Sequence, residues 1–218
     1  MFGKAIKKPF HRNRFPEFCE SVMHGHYLNP WGMKNVIIVW RDGRDVMVSW
    51  YHYCLFVQDN SNVRIVKKTR KNLSFKDFND VKRNMPEFID YAFNIQRNPG
   101  FSWADFVQKW LNRKNVIYTR YEDLHRNTSA ELRRIVLERT GKEISNSEAK
   151  QIAAEFSFSR QTKRQVGKEK KNSFLRKGII GDWKNYFNQQ AREVFDWHAG
   201  NCLIRLGYEK NNAWVGGD

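Results

Sequence analysis

The sequence predicts a single α/β domain, three layers deep, built around a central parallel sheet. Three observations point there. Two short β-branched runs, VIIVW at 36–40 and VIYTR at 116–120, read as buried strands, the first covered on both faces as parallel strands are. Helical periodicity precedes and follows each run, and the order helix, strand, helix, strand, helix is that of a layered α/β chain. Finally, 218 residues with 40% hydrophobic and 15% aromatic content suffice for one sizeable core but not two comfortable ones. No repeat, low-complexity segment or linker divides residues 1–218.

Residues 1–20 form a basic arm carrying Lys4, Lys7, Lys8, Arg12 and Arg14, broken by Pro9 and Pro16. Residues 21–27 read as a short strand or strand end, closed by Asn29 and Pro30. After the 36–40 strand, Arg41, Asp42 and Gly43 make a turn, with Gly43 supplying backbone freedom. A helix follows from Arg44, with Val46, Trp50 and Tyr53 on one face and Asp45, Ser49 and His52 on another. Residues 58–82, with KKTRK at 67–71, read as a solvated loop; the alternative is a lid or a contact for an acidic substrate. Helical spacing returns over 85–96 and 103–111. Beyond the second strand comes YEDL at 121–124, then a helix from about Ser129 with Thr128 and Glu131 as its capping box. Further helices are expected over 145–155 and 190–206. The stretch 161–177, dense in Lys and Arg, reads as mobile, and the last residues as a loop packed on the body.

Thirty-nine Lys and Arg against 23 Asp and Glu give a net charge of +16, which suits an anionic partner: nucleic acid, membrane, sulfated polymer or phosphorylated nucleotide. The three cysteines are widely spaced and show no CxxC pair, so neither a disulfide framework nor a zinc site is expected. Cys54 and Cys202 read as core residues of a reducing compartment. No apolar run approaches ~18 residues, so no membrane span is expected, nor does the N-terminus carry a signal-peptide core.

The chain is organised around 35–53, NVIIVWRDGRDVMVSWYHY. Strand, charged turn and helix bring backbone N–H groups, a helix N-terminus, Arg41 and Ser49 around one point, which suits a phosphate. The alternative is that Arg41 pairs with Asp42 or Asp45 and merely closes the turn. RDGRDVMVSWYH resembles the phosphate-binding signature of the sulfotransferases that use 3′-phosphoadenosine-5′-phosphosulfate (PAPS). In that family an Arg at the strand end and a Ser eight positions later hold the 3′-phosphate, and Arg41 and Ser49 match.

Two later stretches extend the resemblance. YEDL implies that Tyr121 reaches the adenine while Glu122 and Asp123 fix the turn. FLRKGIIGDWKN at 174–185 resembles the family's RKGxxGDWKN signature. It implies that Arg176, Lys177 and the Gly178 N–H clamp a dianionic phosphate. Asp182, Trp183 and Lys184 are expected to pack and pair instead. Upstream, Ser157 and Phe158 stand where the family has a nucleotide contact and an adenine-stacking ring; the alternative places Phe156 and Phe158 in the core. The resemblance implies a His as the base that takes the acceptor's proton. His26 aligns with it, with His24 as the alternative.

The resemblance runs from about residue 21 to 215. It implies a P-loop-NTPase-like sulfotransferase fold, transfer of a sulfuryl group from PAPS to a hydroxyl or amine acceptor, PAP as product and no metal. The family's PKSGTTW-like phosphosulfate loop does not occur, nor does GxxxxGK[ST]. The expectation is therefore an N-terminally truncated member, an incomplete gene model or a form that borrows the loop, poor in turnover though able to bind PAP. A cytoplasmic location is expected. Nucleic acid is not the expected partner, although a non-enzymatic polyanion or nucleic-acid binder, driven by the basic runs at 67–71 and 160–177, is the competing reading.

Overall fold

A computed structural model describes residues 25–28, 33, 35–58, 60–95 and 100–216. The basic arm and His24 lie outside the described residues, and residues 25–27 form no strand. Strand β1 (Val36–Trp40) pairs in parallel with β2 (Val116–Arg120), from Val36 opposite Val116 to Trp40 opposite Arg120. The connection between them carries α1 (Gly43–Leu55), α2 (Val63–Asn72), α3 (Val81–Asn94) and α4 (Trp103–Trp110). After β2 come α5 (Tyr121–Arg126), α6 (Thr128–Thr140), α7 (Asn146–Glu155), α8 (Phe158–Thr162) and α9 (Gln189–Arg205).

One face of the strand pair packs on the main core. Ile38 and Trp40 join Met47, Val48, Tyr51, Phe88, Val107 and Phe195, and Trp40 stacks on Tyr118 with ring centroids 5.8 Å apart. Helix α9 runs along α3 and α4 to close this layer. Cys54 and Cys202 are free and buried. On the opposite face, α6 covers β2: Ile117 and Ile135 are buried, and Thr119 donates to Glu131 at 2.6 Å. Helix α7 packs on α6. The layers are those of an α/β chain, as expected.

Four local expectations are corrected. Strand β1 is buried on one face only, with Ile37 43% and Val39 50% exposed, because α6 covers the β2 half of its side of the pair. Residues 58–82 are not a loop throughout. They hold α2, whose Val66 and Thr69 are buried against the body while its basic residues face out. The buried face of α1 is Met47, Val48, Tyr51, Cys54 and Leu55; Val46, Trp50 and Tyr53 lie half-buried along its margin. The α6 cap is Asn127, which accepts from the Ala130 N–H, whereas Thr128 bonds back to the Leu124 carbonyl and Glu131 turns to Thr119 and Arg134. Residues 161 and 162 end α8, and residues 163–177 form turns closed by hydrogen bonds from the Gly167 N–H to Lys177 O and from the Lys170 N–H to Arg176 O. Among the described residues, no helix is long and apolar enough to cross a membrane.

Candidate functional site

The C-terminal ends of the two strands open side by side. Arg41 follows β1, Tyr121 follows β2, and the Arg41 guanidinium lies 4.5 Å from the centre of the Tyr121 ring. Glu122 ties the two turns together. One carboxylate oxygen accepts the Asp42 N–H at 3.0 Å and the other accepts the Tyr208 hydroxyl at 3.0 Å.

The acids that could neutralise Arg41 are engaged elsewhere. Asp42 caps α1 through the Arg44 N–H and pairs with the Arg44 guanidinium at 2.7 Å. Arg44 also pairs with Glu209 and stacks on Trp183 at 3.9 Å, so it binds the turn to the C-terminal segment. Asp45 accepts the backbone N–H groups of Gly181 at 2.7 Å and Trp183 at 2.9 Å. Burial raises the Asp45 pKa, and those two bonds and the nearby Arg41 offset part of the rise. Arg41 makes no ion pair among the described residues, and its Nε is buried without a hydrogen-bond partner. The alternative in which Arg41 merely closes its own turn is not what the structure shows.

Asp45 thereby pins the RKGxxGDWKN stretch to the first turn of α1, 136 residues away in sequence. A second tie runs from Tyr121 to His125, ring to ring at 5.9 Å, and from His125 Nε2–H to the Gly178 carbonyl at 2.8 Å. Gly178 has φ +65°, and a Cβ on it would lie 2.5 Å from Phe158 Cδ2. Only glycine lets the chain pass so close to that ring in that backbone conformation. Arg41, Tyr121, His125, Gly178 and Phe158 are thereby linked one to the next.

Arg176 pairs with Glu169 at 2.5 Å and with Asp182, while Lys177 reaches Asp182 at 3.0 Å and the Tyr186 hydroxyl at 3.2 Å. Burial opposes the charge on Asp182, but hydrogen bonds from Arg176, Asn185 and Lys177 outweigh it and hold the carboxyl below its ordinary range. An incoming phosphate would compete with Asp182 and Glu169 for these cations. Beside them lies His52, 1% exposed, stacked over Phe56 at 5.4 Å and edge-on to Tyr186 at 6.2 Å. Burial first, then the charges of Arg176 and Lys171, pushes its pKa down to about 3.

The remaining candidates are placed as follows. Ser49 is half-buried on α1. Ser157 caps α8, accepting from the Arg160 N–H and donating to the Ala154 carbonyl at 2.9 Å. Phe158 is half-buried beneath Arg164, while Phe156 is 71% exposed and so belongs to no core. His26 is exposed; the carbonyl of the next residue, Tyr27, accepts from Trp110 Nε1 and docks this segment on α4. Sequence reasoning did not assign Asp45, Arg44 or His125. The signal for Asp45 was an acid in the first turn of α1, and only the folded chain shows that its partners lie near residue 181. A cavity of about 410 Å³, lined by Trp40, Leu111, Tyr118, Arg120, Arg134 and Leu206, contains none of the predicted site residues.

A family model described as the sulfotransferase domain matches residues 10–207. Sulfotransferase 1E1 of Mus musculus is 30% identical over 197 residues, which cover 80% of this chain and 58% of the relative. Amine sulfotransferase of Oryctolagus cuniculus is 26% identical over 192 residues, covering 78% of this chain and 56% of the relative. The chain thus spans less than two thirds of the length of these relatives. The crystal structure of mouse sulfotransferase SULT7A1 complexed with PAP superposes with a TM-score of 0.55 and 25% identity, covering 77% of this chain and 58% of that one. Retinol dehydratase in complex with androsterone and PAP matches in fold, with a TM-score of 0.57, 18% identity and coverage of 87% and 55%.

Proposed function

The chain belongs to the sulfotransferase domain family, and from that premise we propose that it binds PAPS and transfers a sulfuryl group to a hydroxyl or amine. The observation that carries the reading is the state of Arg41: a guanidinium at a strand end, stacked on Tyr121, with its Nε unpartnered and the neighbouring acids bound to other groups. An arginine that forms no ion pair in such a place fits a phosphate. Arg41, Ser49, Arg176, Lys177 and the Gly178 N–H hold the 3′-phosphate. Tyr121 and Phe158 flank the adenine, with Ser157 at its margin. When bound, PAPS supplies the sulfuryl group and leaves as PAP. His26 takes the acceptor's proton on an imidazole nitrogen, with His24 as the alternative base.

The test is titration calorimetry with 3′,5′-bisphosphoadenosine and 5′-AMP. The bisphosphate should bind at least about tenfold more tightly, because only it offers the 3′-phosphate. Arg41→Ala should weaken its binding by about 1.5–3 kcal/mol, the worth of a charge-assisted hydrogen bond. Equal affinity for the two nucleotides would refute the assignment. In a PAPS turnover assay, His26→Ala should lower kcat by about 10²–10⁴ while leaving nucleotide affinity unchanged. Unchanged turnover would transfer the role of base to His24.

A further inference from the structure

The two basic runs that stand apart in sequence converge on one surface. Helix α2 carries Arg64, Lys67, Lys68, Arg70 and Lys71, all exposed, and no acid. Arg64, Lys67, Lys68 and Lys71 recur at three- and four-residue spacing, so one side of the helix presents a row of cations about 10 Å long. Each like-charged neighbour in that row works against the helix, which is held to the body by Val66, Thr69 and the Arg70 guanidinium on the Leu55 carbonyl. Arg70 lies 4.6 Å over Phe78. The next residue, Asn79, accepts from Lys171 Nζ at 3.2 Å, and Lys171 lies 5.9 Å over Phe56. The second run thus reaches the α2 surface and continues through Lys170 to Arg176 and Lys177 beside the candidate phosphate site.

The acids nearby offset only part of the charge on this surface, and Asp77 is close enough to Lys171 for the two charges to interact. Asp77 binds the N–H groups of Asn79, Asp80 caps α3 through the Arg83 N–H, and Glu169 is paired with Arg176. Among the described residues, none of the exposed α2 cations forms an ion pair.

Building on the sulfotransferase reading, we propose that the acceptor is an anionic polysaccharide, laid along α2 and the 163–177 segment. A compact acceptor would meet one or two of these cations. An extended polyanion meets the whole row and gains from every counterion it releases. A glycan also offers hydroxyls on every ring, the group that sulfuryl transfer needs. The aromatic rings within the patch, Phe56 and Phe78, are capped by Lys171 and Arg70, so they offer no open stacking platform for bases. Phe174, 76% exposed at the edge, suits the apolar face of a sugar but also a base, which makes RNA the competitor to test.

The experiment measures binding of a size-defined heparin oligosaccharide and of poly(U) to the full chain over a range of salt. Two triple variants are compared with the parent: Lys67→Ser/Lys68→Ser/Lys71→Ser, and a control that removes equal charge from exposed sites elsewhere, Lys114→Ser/Lys142→Ser/Lys150→Ser. The α2 variant should bind the oligosaccharide at least about tenfold more weakly with a shallower salt slope, and the control within about twofold of the parent. Labelled sulfate should pass from PAPS to de-O-sulfated heparin and fall about tenfold in the α2 variant only, following the lost affinity. Affinity for 3′,5′-bisphosphoadenosine should be the same in all three proteins, so failure of the nucleotide site is read separately. Equal loss in both variants, tighter binding of poly(U), or nucleotide binding without transfer to the glycan would each overturn the proposal.

Discussion

Acidification should loosen this fold through His52 before most of its carboxylates matter. The imidazole is 1% exposed and neither ring nitrogen has a hydrogen-bond partner, so its charged form is excluded. Burial and the adjacent Arg176 push its pKa down to about 3, whereas an unfolded histidine titrates near ~6.5. The lower folded value means that the unfolded chain binds the proton first. Stability is therefore full above ~6.5, declines as pH falls below that, and stops declining below about 3. At pH ~5 an unfolded histidine is ~97% protonated while His52 stays neutral, which corresponds to a loss of about 2 kcal/mol. That is a large share of the ~5–15 kcal/mol of a typical domain. The assay is urea unfolding followed by tryptophan fluorescence, at about pH 7.5 and about pH 5, for the parent and His52→Met, a change that keeps volume and removes the titrating group. The parent should lose about 2 kcal/mol more than the variant between the two conditions. Asp182 and Glu131, both held below the usual carboxylate range, lose their contributions only as pH falls through those lower values. Equal losses in the two proteins would refute the reasoning and show that His52 is hydrated or paired in solution.

The other substitutions probe the ties that assemble the site. Asp45→Asn leaves a single acceptor oxygen for the Gly181 and Trp183 N–H groups, so stability should fall by about 1–3 kcal/mol in denaturant titrations. Affinity for 3′,5′-bisphosphoadenosine should fall with it, and unchanged stability would show that the tie is not maintained. Gly178→Ala meets both the positive φ and the Phe158 ring, and should cost about 1–3 kcal/mol. Phe158→Ala in the same chain should relieve part of that cost, which a double-mutant cycle measures directly.

Much of the layout was legible because it depends on local pattern. The runs 36–40 and 116–120 are strands because β-branched residues favour the pleated surface of a sheet. The capping box Ser145–Glu148 fixed the start of α7 as read. Periodicity misled where the two faces of an element differ little. From Val46 onward every position of α1 but Ser49 and His52 is apolar or aromatic, so spacing alone did not choose between the Val46 and Met47 faces. For α2 the dense charge obscured the buried pair Val66 and Thr69.

The candidate site divides along the same line. The sequence determined which residue types stand at the strand ends and in the RKGxxGDWKN stretch, because motif spacing is a property of the chain. Whether Arg41 is paired with an acid was a matter for the tertiary structure. Asp42 is held by Arg44, itself stacked on Trp183, and Asp45 by backbone N–H groups more than a hundred residues away. Buried charges must be matched wherever the fold brings a partner, and that partner need not be near in sequence. Packing between distant segments likewise sets the low pKa of His52 beside Arg176 and places Lys171 on Asn79. Charge content was written in the chain, but its neutralisation was decided by packing, since only burial and distance set which of two opposite charges meet.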